Sequence, residues 1–229
     1  MKFLFTLFSV LFLYQTMAAQ VVPGYMGKRH FLEIGPSIGF NSFQEAEPSF
    51  FDVLAFKPTL SYSYILSRKT NINAGYQYSS LKVRSRLDDD KYNNYRVFAQ
   101  NFNVGLDIYP VKKKPYMLAP LGTFIRVGLH TFHTHQALLT PNTTNYNPTN
   151  IAHITFGAEL GIGFRLVMGN QFLISADIHS IILMPTAIVI SGEDELNDLK
   201  DYNYQTSLLG ALQLRHFIEW RVALGVFLQ

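Results

Sequence analysis

Residues 154–166 read ITFGAELGIGFRL. Ile154, Phe156, Ala158, Leu160, Ile162, Phe164 and Leu166 alternate with Thr155, Gly157, Glu159, Gly161, Gly163 and Arg165. Successive side chains of a strand point to opposite faces, so this pattern predicts one extended segment with an oily face and a polar or empty one. A helix would scatter both sets around its circumference. Strands of soluble domains usually run about five or six residues. A tilted strand needs about 9–11 to cross a membrane.

The same alternation recurs along the chain. It predicts strands at 30–40, 56–66, 70–83, 95–109, 121–135, 154–166, 172–183 and 215–228. In the first, Leu32, Ile34, Pro36, Ile38 and Phe40 oppose Glu33, Gly35, Ser37 and Gly39. In the last, His216, Ile218, Trp220, Val222, Leu224, Val226 and Leu228 oppose Phe217, Glu219, Arg221, Ala223, Gly225 and Phe227. The pattern slips at Ser80-Leu81, where a bulge near a rim is expected. A polar loop is expected at 84–94, and a short helix at 204–214 inside the longest connection.

Connections between these segments alternate long and short. That asymmetry belongs to outer-membrane barrels, with short periplasmic turns and long outer loops. The predicted fold is all-β: an eight-stranded antiparallel up-and-down transmembrane β-barrel in the cell outer membrane. Tyr62, Tyr64, Tyr76, Tyr78, Phe164 and Trp220 lie toward strand ends on the oily face, as an interfacial belt would.

Composition sharpens this. The chain has 229 residues, 48% of them hydrophobic and only 15% charged, which suits a lipid-facing surface better than an ordinary soluble one. The formal charge is +3 with scattered basic residues, so nucleic acid is not an expected partner. Cysteine is absent, which removes disulfides, thiolate catalysis and lipidation at an N-terminal Cys. Residues 1–19 read as a cleaved signal peptide: Lys2, an apolar run over 3–14, then Thr16-Met17-Ala18-Ala19. That run is too short to span about 30 Å of hydrocarbon. Residues 20–229 then form the barrel domain.

Energetics assign the faces. Arg or Lys facing lipid at the midplane costs about 2–4 kcal/mol, and several would exceed a total stability of about 5–15 kcal/mol. Arg126, Arg165 and Arg221 must therefore point inward with Glu33, Asp107, Glu159, Asp177 and Glu219. An eight-strand interior is just wide enough for side chains to fill. A structural network of ion pairs is expected, with small residues such as Gly35, Gly163 and Gly225 making room.

Other chemistry is thin. His133 and His135 share a face at a spacing a metal could use, but a solvated loop base is the plainer reading, and no cofactor is expected. Asp88-Asp89-Asp90 lacks the Gly and distal Glu of a Ca²⁺ loop. No G-x-S-x-G nucleophile motif occurs, so an enzyme is not expected. The apolar stretch 48–56 (PSFFDVLAF) would fold over the mouth or dock a partner.

The leader and first strand, VVPGYMGKRHFLEIG, and the fifth-strand entry, YMLAPLGTFIRVGL, resemble segments of the small OmpA-like or PorT-like outer-membrane β-barrel proteins of Gram-negative bacteria. The resemblance implies a monomeric barrel inserted into outer-membrane lipid from the periplasm, with surface loops variable in role, and the expected function is a structural or surface-interaction role. A part as accessory to an envelope or secretion complex, through an envelope protein partner, is implied by family analogy only. It carries over no catalytic residue. The alternative function is a narrow channel or a barrel that binds small apolar ligands, and the competing fold is a soluble lipocalin-like barrel.

Overall fold

In the computed structural model, residues 27–40, 54–88, 91–110, 120–138, 152–169, 171–185, 188–191 and 202–228 are described. The signal-peptide expectation falls outside them, as do Asp89-Asp90 and most of 48–56. Eight long strands close into a ring: β1 (His30–Phe40), β2 (Leu54–Ile65), β3 (Thr70–Asp88), β4 (Lys91–Ile108), β5 (Gly122–Leu138), β6 (Ala152–Met168), β7 (Phe172–Leu183) and β9 (Glu219–Leu228). Each pairs antiparallel with its neighbours, and β9 pairs with both β7 and β1. A four-residue β8 (Ile188–Ser191) adds to the outer end of β6, where β7 no longer reaches. Among the described residues a helix, α1 (Tyr202–Phe217), lies between β8 and β9.

Closure solves the edge problem. Every long strand has two neighbours, so strand backbone groups are paired around the ring, except toward the outer end of β2 and β3, where their pairing stops at Thr59↔Gln77. The oily positions point outward: Leu160, Ile162, Leu224, Trp220 and Ile34 are each more than half exposed. The polar set points inward and is buried. This pattern makes the chain a multi-pass outer-membrane barrel, since an apolar outer surface of this extent belongs in lipid, not water. A lipocalin-like arrangement would have reversed the faces.

The strands differ in length. β3 to β6 run 17–19 residues, whereas β1, β2, β7 and β9 run 10–12. The long wall rises past the oily belt: above Phe102 and Leu129 the outward positions become Gln100, Thr131 and His133. Helix α1 touches β1 and β7 on the short side and β3 on the long wall, and so covers the lumen where the short strands end.

Three expectations change. The slip at Ser80-Leu81 is not a bulge: β3 pairs with β4 in continuous register from Thr70↔Ile108 to Arg86↔Tyr92. Leu81 keeps the inward parity of Ser79 and is buried. The interior turns apolar there because α1 lies above it. The polar loop over 84–94 is replaced by extended strand up to Asp88 and from Lys91. The last strand does not begin at 215, because α1 continues to Phe217. His216, assigned to the oily face, is instead buried at the helix end. Among the belt aromatics, Tyr76 lies mid-strand against Phe102, with ring centroids 5.1 Å apart.

The face assignment is testable at the belt's centre. Leu160→Arg places a cation in lipid and should destabilise the folded barrel by about 2–4 kcal/mol, measured by reversible urea titration in lipid vesicles. Unchanged stability would mean that Leu160 does not face hydrocarbon.

Candidate functional site

The site is the lumen, and parity along each strand builds it. Two arginines and two carboxylates sit directly opposite across ladders: Asp107↔Arg126 between β4 and β5, and Asp177↔Arg221 between β7 and β9. Arg165 on β6 reaches across the barrel to Glu33 on β1. Its Nε donates to Oε1 at 3.0 Å and its Nη2 to Oε2 at 2.9 Å, a bidentate pair. Its Nη1 donates to Asp107 Oδ2 at 2.8 Å and to the Tyr109 hydroxyl at 2.5 Å.

Arg126 completes the clasp on Asp107, with Nε to Oδ1 at 2.6 Å and Nη2 to Oδ2 at 3.1 Å. Asn73 adds a donor to Asp107 Oδ1 at 3.1 Å. Asp177 then accepts from Arg221 Nε at 2.8 Å and from Arg126 Nη1 at 3.5 Å. The chain Glu33–Arg165–Asp107–Arg126–Asp177–Arg221 thus runs unbroken across the lumen. All six residues are buried.

A second group sits nearer the outer end, around Glu219. Lys57 Nζ lies 2.6 Å from Glu219 Oε1, and Gln77 Nε2 donates to Oε2 at 2.8 Å. Ser37 and His216 also hydrogen-bond this carboxylate. Lys57 donates further to the Arg215 carbonyl at 2.9 Å, where a cation meets the negative end of α1. Glu159 contacts His130 at 3.0 Å, and His130 contacts Asn101 at 3.0 Å. His179 bridges the two groups, 2.8 Å from Asp177 Oδ1 and 3.5 Å from Glu219 Oε2.

Both ends of this polar space are closed by apolar clusters. At the short-turn end Phe31, Ile65, Tyr109, Phe124, Leu173 and Phe227 form a floor. The guanidinium of Arg165 lies 4.5 Å from the Phe124 ring centroid and 5.0 Å from that of Phe31, so the floor also holds cations over ring faces. Gly163 makes room for it: a Cβ there would lie 2.3 Å from Phe124 Cζ. At the outer end Leu208, Ala211 and Leu212 of α1 pack on Leu81, Val97, Ala99, Phe132, Ile181 and Leu183. Gln213 pins the helix to β7, donating to the Ile181 carbonyl at 2.9 Å and accepting from the Leu183 amide at 2.7 Å.

Of the residues singled out from sequence, Glu33, Asp107, Arg126, Glu159, Arg165, Asp177, Glu219 and Arg221 all lie in the lumen. His133 and His135 do not join them. They face outward above the oily belt, with ring centroids 4.3 Å apart. No group of three or more His, Asp or Glu side chains among the described residues is arranged to hold a metal ion. Sequence reasoning left out Lys57, His130, His179 and His216 as network members. The first three carry inward parity, which was the available signal. His216 carried none, because its segment read as strand.

A cavity of about 20 Å³ touches Ser61, Gln77, Asn101, His130, Glu159 and His179, room for about one water.

No family model matches the chain, and no curated protein matches it in sequence. Among solved structures it is similar to the outer membrane protein OprG from Pseudomonas aeruginosa, at 9% identity and a TM-score of 0.49, over 88% of this chain and 96% of that one. It is also similar to Ail, the attachment invasion locus protein of Yersinia pestis, at 8% identity and a TM-score of 0.44, over 87% and 97%. CarO of Acinetobacter baumannii is similar at 12% identity and a TM-score of 0.35, over 90% and 100%.

The network can be tested by breaking and then removing a pair. Arg165→Met alone strands Glu33 in the lumen and should cost about 3–5 kcal/mol. Adding Glu33→Met should recover a large part of that loss. Urea titration of the single and double variants in vesicles measures it, and equal stability of the two would show that Glu33 is not held by Arg165.

Proposed function

We propose that this protein is a closed, non-conducting barrel whose role is structural or in surface interaction. The observation that supports this reading best is the lumen as the described residues build it: a charged, paired middle between two apolar clusters. A continuous pore needs an unbroken polar path, and the Phe124 and Phe132 clusters interrupt it at both ends. Such a barrel acts as a rigid mount. It would offer the tall wall of β3 to β6, with β8 and α1, to partners outside the cell or to an envelope complex. We read it as a non-enzymatic monomer, exported by residues 1–19 and inserted as residues 20–229. Kinship with OmpA-like or PorT-like barrels is part of this proposal and rests on the two sequence stretches quoted above.

One observation favours the ligand-binding alternative. Pairing between β2 and β3 runs only from Ile65↔Asn71 to Thr59↔Gln77 and does not continue through Pro58 toward the outer end. The small cavity borders this seam, touching lipid-side Leu60 and Tyr76 as well as lumen residues. Its volume is far below the roughly 300–1,000 Å³ of ordinary ligand pockets, so a ligand would have to part the seam. Saturable binding of a fluorescent apolar probe at one site per barrel would support that alternative, and its absence would remove it.

Conductance decides the main reading. The purified protein in a planar bilayer should show no stepwise currents above the bare-membrane background. Resolved, repeated open-channel steps from folded protein would overturn it.

A further inference from the structure

The charged side chains in the described turns at the short-turn end of the barrel are all basic. Described residues there include Lys28, Arg29, His30, Arg68 and Lys69, and no carboxylate lies in 27–31 or 66–70. The other connections at this end, 109–121 and 169–171, contain three lysines and no Asp or Glu in sequence. The nearest acid along β1, Glu33, is inside the lumen and engaged by Arg165. The opposite end is acid-rich: Glu45, Glu47, Asp52, Asp88, Asp89, Asp90, Glu193, Asp194, Glu195, Asp198 and Asp201 all fall in or beside its connections.

The basic residues are positioned, not merely present. The Ile65 amide donates to the Arg29 carbonyl at 2.8 Å, which extends the β1–β2 ladder to the rim and sets Arg29 beside the turn. In that turn the Leu66 and Ser67 amides donate to the Thr70 carbonyl at 3.0 and 3.1 Å, and Ser67 Oγ lies 2.7 Å from Thr70 Oγ1. Arg68 and Lys69 are thereby held exposed. Arg29 Nη1 donates to the Tyr64 hydroxyl at 3.3 Å, and His30 hydrogen-bonds the Tyr62 hydroxyl. Tyr62 and Tyr64 share the lipid-facing parity of β2, so this basic group stands where the oily belt meets water.

We propose that this rim binds the phosphate headgroups of anionic phospholipids in the periplasmic leaflet. The chemistry fits: guanidinium and ammonium donors suit phosphate oxygens. Phenols at the belt's edge fix the depth at which the phosphate sits. A cation near an anionic membrane surface is attracted to it. Several close together repel one another unless an anion comes between them. The depth favours a lipid over a soluble periplasmic anion.

The test uses the mature protein in nanodiscs of phosphatidylcholine doped with spin-labelled phosphatidylglycerol or spin-labelled phosphatidylcholine. The immobilised fraction of each reports contact with the barrel. Wild type should hold phosphatidylglycerol several-fold in excess over phosphatidylcholine. The triple variant Arg29→Gln/Arg68→Gln/Lys69→Gln should bring the two near parity. Lys82→Gln/Arg84→Gln/Lys91→Gln, which removes equal charge at the other end, should leave the preference in place. Heat-modifiable gel mobility confirms that each variant folds. No preference in wild type, or the same preference in the folded triple variant, would overturn the proposal. Displacement of the labelled lipid by inorganic phosphate at constant ionic strength would assign the site to a soluble phosphate and overturn it as well.

Discussion

Arg165, Asp107 and Arg126 are taken out of water between two apolar lids, and most of the barrel's interior follows from the need to neutralise them. An isolated charge in such a space costs several kcal/mol even after relaxation. The two fully buried carboxylates therefore meet several donors: Asp107 accepts from Arg126, Arg165 and Asn73, and Glu219 is surrounded by Lys57, Gln77, Ser37 and His216. The partners come from all eight ring strands. Glu33 and Ser37 lie on β1, Lys57 on β2, Gln77 on β3, Asp107 on β4, Arg126 on β5, Arg165 on β6, Asp177 on β7 and Arg221 on β9.

Buried ion pairs are weak evidence for stability, since desolvation offsets much of the attraction. Their better-supported use here is register. A one-residue slip in any ladder would send a lumen charge into lipid and an oily side chain into the lumen. Asp107↔Arg126 and Asp177↔Arg221 face each other directly and mark the correct alignment of β4 with β5 and of β7 with β9. Helix α1 extends the same logic to the outer end. The short strands leave the lumen uncovered on one side, and α1 covers it with Leu208 and Leu212 while its C-terminal carbonyl meets Lys57.

Much of this is legible in the chain because a strand's parity is strict. Once Arg126, Arg165 and Arg221 are barred from lipid, every second residue is assigned, and the charges that meet in space can be named without knowing the register. What parity cannot show is where the inward set stops being polar. Phe31, Phe124 and Phe227 look like breaks in a pattern until they are seen as one floor. Leu81 looked like a bulge because its partner surface is a helix more than a hundred residues later. The end of α1 was misread for a similar reason. Residues 215–217 read as strand when the parity of the strand that follows is carried back to Arg215, and only the helix end, with Lys57 brought beside it from β2, distinguishes His216 as buried. The basic rim needed the topology, since Lys28 and Arg68 are far apart in sequence and adjacent only through the β1–β2 ladder.

The central claim is that the lumen is sealed, with its charges locked in pairs and out of contact with bulk water. Hydrogen exchange of the arginine side chains tests it most directly. In protein folded in lipid nanodiscs and moved to D₂O, the Nε–H resonances of Arg126 and Arg165 should persist far longer than that of exposed Arg68. Exchange of Arg165 at the rate of Arg68 in a fully folded sample would show water passing freely through the lumen, and would contradict the sealed barrel.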